Sequence, residues 1–348
     1  MLSQKPKCLI VLGSTATGKS DFAVVLAKQF NGEIISADSR QVYAGLNIGS
    51  GKITEEEMQG VPHHLLDVAS STDEYTVARF VTDGRKAIDA ILAREKLPII
   101  CGGTGFYIDA LIGKIGLTEV PANNELRKSF EGKTAAELFA LLKDKDPLYA
   151  NKVDSKNKVR MIRALEIAEA LGSVPENPSA LLYNTFTIGL TLPDEILREK
   201  IQVRLRSRMQ SGMMEEMKKL HAEGLSYARM EALGLEYRYG AHLLQNKIDE
   251  PTFLTELELA IWHYAKRQKT WFKRDQSIHW IDPRDANEKI KIAEEVQKFI
   301  AQYSTQPTAL ENVFVCGFLH LSARCLLEQR PVCLPRRSYD ELLQYKFQ

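Results

Sequence analysis

The most chemically specific residues of the chain form a short loop near its start. Residues 13–20 fit the pattern G-x-x-x-x-G-K-[ST] in full, between an apolar run of strand length and an amphipathic, helix-period run. Backbone N–H groups of such a loop, the following helix N-terminus and the lysine bind a polyphosphate, and the last hydroxyl can reach Mg²⁺. We therefore predict a phosphate-binding loop. Its members are Gly13, Ser14, Thr15, Ala16, Thr17, Gly18, Lys19 and Ser20, with Ser20 as the Mg²⁺ ligand.

A carboxylate follows the second predicted strand. Residues 33–37 have strand character and lead directly into Asp38 and Ser39. Open parallel sheets place their sites at the carboxyl ends of the strands, so Asp38 is expected beside the phosphate loop. There it can organise a metal ion, as in small-molecule kinases, or act as a general base. A helix cap is the plain structural alternative.

Cationic side chains recur at helical spacing further along the chain. Arg204 and Arg208 are four residues apart and share one helix face, which lets one or both approach the same anion. Basic residues also cluster at 156–163, 198–208 and 266–274. Charge runs are more often solvated faces than nucleic-acid sites, so on their own they do not establish an RNA partner.

A parallel sheet is needed to bring these residues together. Near-continuous apolar strands, starting at Cys8 and recurring at 33–37, 97–101 and 186–190, alternate with helical sequence. This order predicts an α/β fold with a P-loop NTPase-like parallel sheet core covered on both faces. One long charged helix is expected at about 195–223, with further helices at about 250–274 and 284–303.

The predicted domains follow a change of composition near Pro121. Residues 122–182 are almost entirely helical in pattern and form a helical insert, with Gly172 as a helix stop. Residues 1–121 and 183–304 form the P-loop catalytic core. Residues 305–348 are a C-terminal extension of unknown role, whose Cys316, His320, Cys325 and Cys333 lack the spacing of a zinc site.

Composition excludes several classes of protein. The 348 residues are 44% hydrophobic, which is enough for a core and excludes a disordered chain. Lys+Arg 46 against Asp+Glu 45 gives a net charge of +1, so any nucleic-acid binding must use local patches. No apolar run approaches 18 residues, so no membrane span or signal peptide is expected. Five cysteines, an odd number, suit a reducing compartment, and we predict a cytoplasmic protein.

Several separate motifs, in the correct order, resemble one family, the tRNA dimethylallyltransferases of bacteria. The resemblance covers about residues 5–283. The matching pieces are GSTATGKS (13–20), ISADSRQVYAGLNIGSGK (35–52), PHHLLD (62–67), Tyr75 with Phe80, PIICGGTGFYIDALI (98–112), RMIRALEI (160–167), REKIQVRLRSRM (198–209) and AKRQKTWFKR (265–274).

This resemblance implies a reaction. Dimethylallyl diphosphate would occupy the loop with Mg²⁺ on Ser20, and its prenyl group would pass to N6 of the adenosine 3′-adjacent to the anticodon in tRNA. The products would be N6-isopentenyladenosine and diphosphate. The resemblance gives Asp38 the proton from N6, places Thr15 beside the reacting centre, and puts Arg208 on the diphosphate.

The resemblance also implies where tRNA binds. The anticodon stem-loop would lie between core and insert, with the target base extruded into a channel. The aligned positions are Asp38, Ser39, Arg40, Gln41, Thr104, Arg127, Val159, Arg160, Met161, Ile162, Arg163 and the stretch 262–268, of which Lys266, Arg267 and Gln268 are predicted to bind tRNA. A monomer is expected. The segment 232–238 departs from the shorter V-G-Y-[RK] motif of many bacterial relatives, which leaves its local detail open.

Two other functions remain open at this point. A small-molecule or nucleotide kinase with a helical lid would also use the loop, Asp38 and the arginine helix. A P-loop chain that has lost its chemistry and binds RNA is the third alternative. The strand end Gly102-Gly103-Thr104 and the basic clusters argue against the kinase, and the presence of Thr15, Lys19, Ser20 and Asp38 argues against the third.

Overall fold

The computed structural model describes residues 5–176 and 180–302. Within these ranges one parallel sheet has six strands in the order β3-β2-β4-β1-β5-β6. The strands are β1 (Lys7–Gly13), β2 (Gly32–Ser36), β3 (His63–His64), β4 (Leu97–Gly102), β5 (Asn184–Leu190) and β6 (His279–Ile281). The predicted α/β class with a parallel sheet is confirmed. The predicted extension at 305–348, with its three cysteines and His320, lies outside the described residues.

The described residues also form fourteen helices. In chain order they are α1 (Lys19–Gln29), α2 (Glu55–Met58), α3 (Val77–Ala93), α4 (Gly105–Leu111), α5 (Asn124–Ser129), α6 (Ala135–Lys145), α7 (Pro147–Ala150), α8 (Lys158–Leu171), α9 (Asp194–Gln210), α10 (Met213–Ala222), α11 (Tyr227–Leu233), α12 (Leu235–Leu244), α13 (Glu250–Phe272) and α14 (Ala286–Ala301).

The central strand explains why the sheet forms here. Residues 8–13 of β1 are all buried, as expected of a parallel strand with helices on both faces. β1 pairs with β4 through Val11 and Cys101, and with β5 through Gly13 and Leu190. The carboxyl ends of β1, β4 and β5 therefore meet at one edge, where the phosphate loop starts.

The prediction of one long charged helix at 195–223 is wrong in one respect. The segment forms two helices, α9 and α10, separated at Ser211 and Gly212. Gly212 has φ 95°, a left-handed conformation that ends a regular α-helix and that glycine adopts without steric cost. The break separates α9, which carries Arg204 and Arg208, from α10.

Helices α6, α7 and α8 have an apolar cluster of their own. It contains Leu138, Leu142, Ala150, Met161, Ala164 and Leu165. Asn157 caps α8 by accepting a hydrogen bond from the Arg160 N–H, and the helix ends at Gly172 as predicted. The predicted domain boundaries themselves stay a prediction.

Residues up to Ile281 form one compact unit and the chain from Asp282 belongs to a second. In the second unit the described residues form helix α14, which Asp285 caps by accepting hydrogen bonds from the N–H groups of Asn287 and Glu288. In the part of the chain that the structure describes, no helix is long and apolar enough to cross a membrane.

Candidate active site

The phosphate loop connects β1 to α1 and is held by its own side chains. Lys19 Nζ donates to the Ser14 carbonyl oxygen at 2.7 Å, and Thr17 Oγ1 donates to the same oxygen at 2.9 Å. Ala16 has φ 62°, a left-handed conformation in the middle of the loop. These contacts keep the backbone curved, which is the geometry that presents consecutive N–H groups to an anion.

Two polar groups of the loop, the Ser14 hydroxyl and the Lys19 ammonium group, favour binding of a polar ligand. The Ser14 hydroxyl is buried and is without a hydrogen-bond partner among residues 5–176 and 180–302. Removal from water lowers the pKa of Lys19 to about 8, while the nearby Asp38 carboxylate opposes that shift. Both groups would gain from an anion in the loop, since buried polar atoms are normally satisfied.

Asp38 follows β2 and is held in a tight turn. Its Oδ1 accepts hydrogen bonds from the N–H groups of Arg40 at 2.8 Å and Gln41 at 3.4 Å. Neighbouring Ser39 donates its N–H to Thr104 Oγ1, on the loop after β4, at 3.3 Å. One carboxylate oxygen is therefore fixed by the backbone. The other is available for a substrate proton.

Gln268 on α13 joins the phosphate loop to the end of β4. Its Oε1 accepts from the Thr15 N–H at 2.9 Å, and its Nε2 donates to the Gly103 carbonyl oxygen at 2.9 Å. The side chain is buried with 6% of its surface exposed. The resemblance predicts Gln268 as a tRNA contact, whereas in the structure its side chain makes hydrogen bonds within the protein.

Arg204 and Arg208, which share one face of α9, have different partners. Arg204 Nη2 donates to Thr15 Oγ1 at 3.0 Å. Arg208 is buried; its Nη1 donates to Glu236 Oε1 at 2.9 Å and to the Gly49 carbonyl oxygen at 3.2 Å. Burial, together with the charge of Arg208, lowers the pKa of Arg204, yet a guanidinium stays protonated near neutral pH.

A single cavity of about 360 Å³ brings most of the predicted core residues together. The predicted residues that line it are Thr15, Lys19, Ser20, Asp38, Ser39, Arg40, Gln41, Arg267 and Gln268. Its volume is in the range of small-molecule sites. Arg208 and Thr104 stand just behind this lining, each bonded to a residue that forms it or adjoins it.

The predicted tRNA positions of the insert lie elsewhere and form a second group. Arg127 and Arg163 both pair with the buried carboxylate of Glu166, at 2.7 and 3.2 Å. Val159 is 78% exposed and Arg160 is exposed, whereas Met161 is fully buried and Ile162 is half-buried. On α13, Lys266 and Arg267 are exposed. RNA contact at these positions stays a prediction.

Sequence reasoning gave no site role to Glu236, one of the residues that line the cavity. Glu236 lies in the segment 232–238 that departs from the bacterial motif. Its ion pair with Arg208 joins two separate helices, so no local sequence pattern predicts it. Tyr264 is on the cavity face of α13, where burial and the Asp38 charge raise its pKa to about 12. It lies within the stretch 262–268 that the resemblance aligns with tRNA contacts, four residues before Gln268 and on the same helix face.

The comparison with protein families decides between the alternatives left open by the sequence. The family described as IPP transferase matches residues 41–275. The chain belongs to the IPP transferase family. This confirms the predicted resemblance, and no comparison favours a kinase.

Two named relatives of this IPP transferase family member align with most of its sequence. It is 46% identical over 290 residues to tRNA dimethylallyltransferase 2 of Treponema denticola, spanning 80% of this chain and 97% of the relative. It is 39% identical over 287 residues to tRNA dimethylallyltransferase of Anoxybacillus flavithermus, spanning 80% and 91%.

Solved structures of the IPP transferase family share its fold. The full-length tRNA isopentenylpyrophosphate transferase of Bacillus halodurans matches with a TM-score of 0.64 and 34% identity, covering 86% of this chain and 96% of that one. A eukaryotic dimethylallyltransferase, solved acting on tRNA, matches with a TM-score of 0.71 and 25% identity, covering 85% and 80%. The P-loop NTPase-like core is therefore confirmed as the fold of this chain.

Proposed function

We propose that this protein transfers a dimethylallyl group from dimethylallyl diphosphate to N6 of the adenosine 3′-adjacent to the anticodon in tRNA. The products are N6-isopentenyladenosine and diphosphate. The observation that supports this most is that a phosphate loop and a carboxylate, Lys19 and Asp38, line one cavity in a member of the IPP transferase family. We also propose that the protein is cytoplasmic and monomeric.

The diphosphate fits the cationic side of the cavity. Loop N–H groups, together with Lys19 and the Arg204 guanidinium that line the cavity, would stabilise the negative charge that collects as the allylic carbon–oxygen bond breaks. Donors fixed before the reaction stabilise that developing charge more than they stabilise the bound donor, so they lower the barrier. The Ser14 hydroxyl, which has no hydrogen-bond partner among the described residues, would be a further donor within the loop.

Asp38 acts as the general base for the adenine nucleophile in this proposal. The lone pair of the adenine N6 forms the new bond to the allylic carbon, the carbon–oxygen bond to diphosphate breaks, and the N6 proton passes to the Asp38 carboxylate. The backbone N–H groups of Arg40 and Gln41 hold Oδ1, so Oδ2 would be the oxygen that accepts the proton. A carboxylate within hydrogen-bond reach of the proton is the requirement for a general base.

Magnesium fits this site as a partner of the diphosphate. The described residues contain no group of three or more His, Cys, Asp or Glu side chains able to hold a metal. Ser20, which lines the cavity beside Lys19 and Asp38, would be the residue that holds Mg²⁺, since this ion takes few ligands from the protein when it binds substrate phosphates. When bound, Mg²⁺ neutralises charge on the leaving diphosphate.

The direct test measures the product. The purified chain is incubated with Mg²⁺, unmodified tRNA and dimethylallyl diphosphate, in parallel with ATP, and the tRNA is digested to nucleosides for mass spectrometry. N6-isopentenyladenosine is expected with the prenyl donor alone. If no such product forms and ATP is consumed, the loop serves a kinase and the proposal fails.

A further inference from the structure

A tyrosine of α13 lines the cavity near the carboxylate of Asp38. Tyr264 and Asp38 are both lining residues. Burial first, and then the charge of the Asp38 carboxylate, raise the pKa of the Tyr264 hydroxyl to about 12. A hydroxyl with that pKa stays protonated at neutral pH. The cavity therefore offers an ionised acceptor, Asp38, and a neutral hydroxyl donor, Tyr264, close to each other.

Two neighbours hold the Tyr264 side chain in place. The Arg267 guanidinium lies over its ring, 5.7 Å from the ring centroid. A hydrogen bond with the Thr104 side chain favours the ionised form of the tyrosine, as expected when Thr104 is the donor. Thr104 Oγ1 in turn accepts the N–H of Ser39, the residue after Asp38, at 3.3 Å. The Tyr264 oxygen is thus linked to the turn that holds Asp38, and its own O–H is left to donate to a further partner.

This donor and acceptor match the hydrogen-bonding edge of adenine. The exocyclic N6 amino group of adenine is flanked by two ring nitrogens, N1 and N7, and both accept hydrogen bonds. A base that offers an N6 proton to Asp38 therefore brings one of these acceptors toward a donor that lies near the carboxylate. Guanine carries the acceptor O6 in place of the amino group, so it would turn an acceptor toward the Asp38 carboxylate. The arrangement thus favours adenine over guanine.

We infer that Tyr264 is a specificity-determining residue of the reaction, whose hydroxyl donates a hydrogen bond to a ring nitrogen of the target adenine next to N6. The inference rests on the proposed function, which brings that base to Asp38. The hydrogen bond fixes the rotation of the base in the cavity and so holds N6 against the carboxylate. The proton still passes from N6 to Asp38, and Tyr264 keeps its own proton throughout.

The test combines a protein variant with an altered base. The full chain acts, with Mg²⁺ and dimethylallyl diphosphate, on anticodon stem-loops that carry adenosine, 1-deazaadenosine or 7-deazaadenosine at the target position. Tyr264→Phe keeps the ring and removes the hydroxyl, and each deaza base keeps N6 and replaces one ring nitrogen with C–H. With adenosine, kcat/KM of Tyr264→Phe is expected to fall about tenfold, the scale of one lost hydrogen bond. Tyr239→Phe, half-buried on α12 and not among the lining residues, is the matched control and keeps the wild-type value.

The deaza bases separate a direct contact from general damage to the cavity. One of them is expected to lower kcat/KM of the wild-type protein about tenfold. The same base is expected to change kcat/KM of Tyr264→Phe less than twofold, because the hydrogen bond is already absent. The other deaza base is expected to affect both proteins equally. If the effect of the variant and the effect of each deaza base simply multiply, the hydroxyl contacts neither nitrogen and the inference is overturned.

Failure of this inference and failure of the proposed function give different results. A wild-type kcat/KM in Tyr264→Phe with adenosine overturns the role of the tyrosine and leaves the proposed reaction untouched. A wild-type protein that forms no N6-isopentenyladenosine in the adenosine stem-loop or in full-length tRNA overturns the proposed function, and the inference with it.

Discussion

Asp38 is held by the backbone through one oxygen, which makes it a clean target for substitution. Asparagine keeps Oδ1 and its bonds to the N–H groups of Arg40 and Gln41 but cannot accept the N6 proton. We expect Asp38→Asn to lower kcat roughly 100- to 10,000-fold, the usual contribution of a general base, with little change in the Kd for tRNA. Single-turnover rates and filter binding measure the two quantities. A variant that loses tRNA binding in proportion to rate would contradict the general-base role.

Lys19 gives the donor site a pH dependence. Burial lowers its pKa to about 8, so the free protein carries the charge below pH 8 and loses it as the pH rises through 8. Pyrophosphate affinity is therefore expected to fall between pH 8 and 9, by up to about tenfold per pH unit. Lys19→Arg stays charged over this range and is the control. A wild-type profile parallel to that of Lys19→Arg would exclude titration of Lys19 as the cause.

At the scale of elements, the close packing of helix α9 on the loop after β2 requires a glycine at position 51. Gly51 has φ 62°, and a Cβ there would collide with the Arg208 guanidinium. We expect Gly51→Ala to displace Arg208 and to raise the Kd for pyrophosphate about tenfold. Gly60→Ala is the matched control, because Gly60 has φ 80° but open space around it, so it carries the backbone strain without the collision. Equal effects of the two variants would show that strain alone is responsible.

The elements themselves were largely predictable where the chain gives long periodic signals. The strands predicted at 33–37, 97–101 and 186–190 correspond to β2, β4 and β5, and α13 and α14 lie within the predicted helices. The short edge strands β3 and β6 were missed because two and three residues carry no periodicity. The break at Gly212 was missed because charged residues on both sides continue a helical pattern.

The site was predictable to the extent that it is contiguous. The phosphate loop is one motif, and Asp38 follows a strand, so both were found from local sequence. The contacts of Gln268 with Thr15 and of Arg208 with Glu236 join residues far apart in the chain, and no spacing rule contains them. They arise from tertiary packing, which a pattern does not describe.

At the scale of the whole molecule, the net charge of +1 means that tRNA binding depends on local patches. Lys266 is exposed on α13, within the cluster 266–274. We expect Lys266→Ala to lower the slope of log Kd against log salt by about one unit. Lys86→Ala, an exposed lysine of α3 outside the three clusters, is the control and keeps the wild-type slope. An unchanged slope for Lys266→Ala would remove it from the phosphate contacts.

The bridge made by Gln268 has a consequence for which amino acids that position tolerates. Its side chain accepts from the Thr15 N–H and donates to the Gly103 carbonyl oxygen at once. Glutamate cannot donate, lysine cannot accept, and asparagine is one methylene too short. In a saturation library selected for activity, we therefore expect codon 268 to return glutamine almost alone.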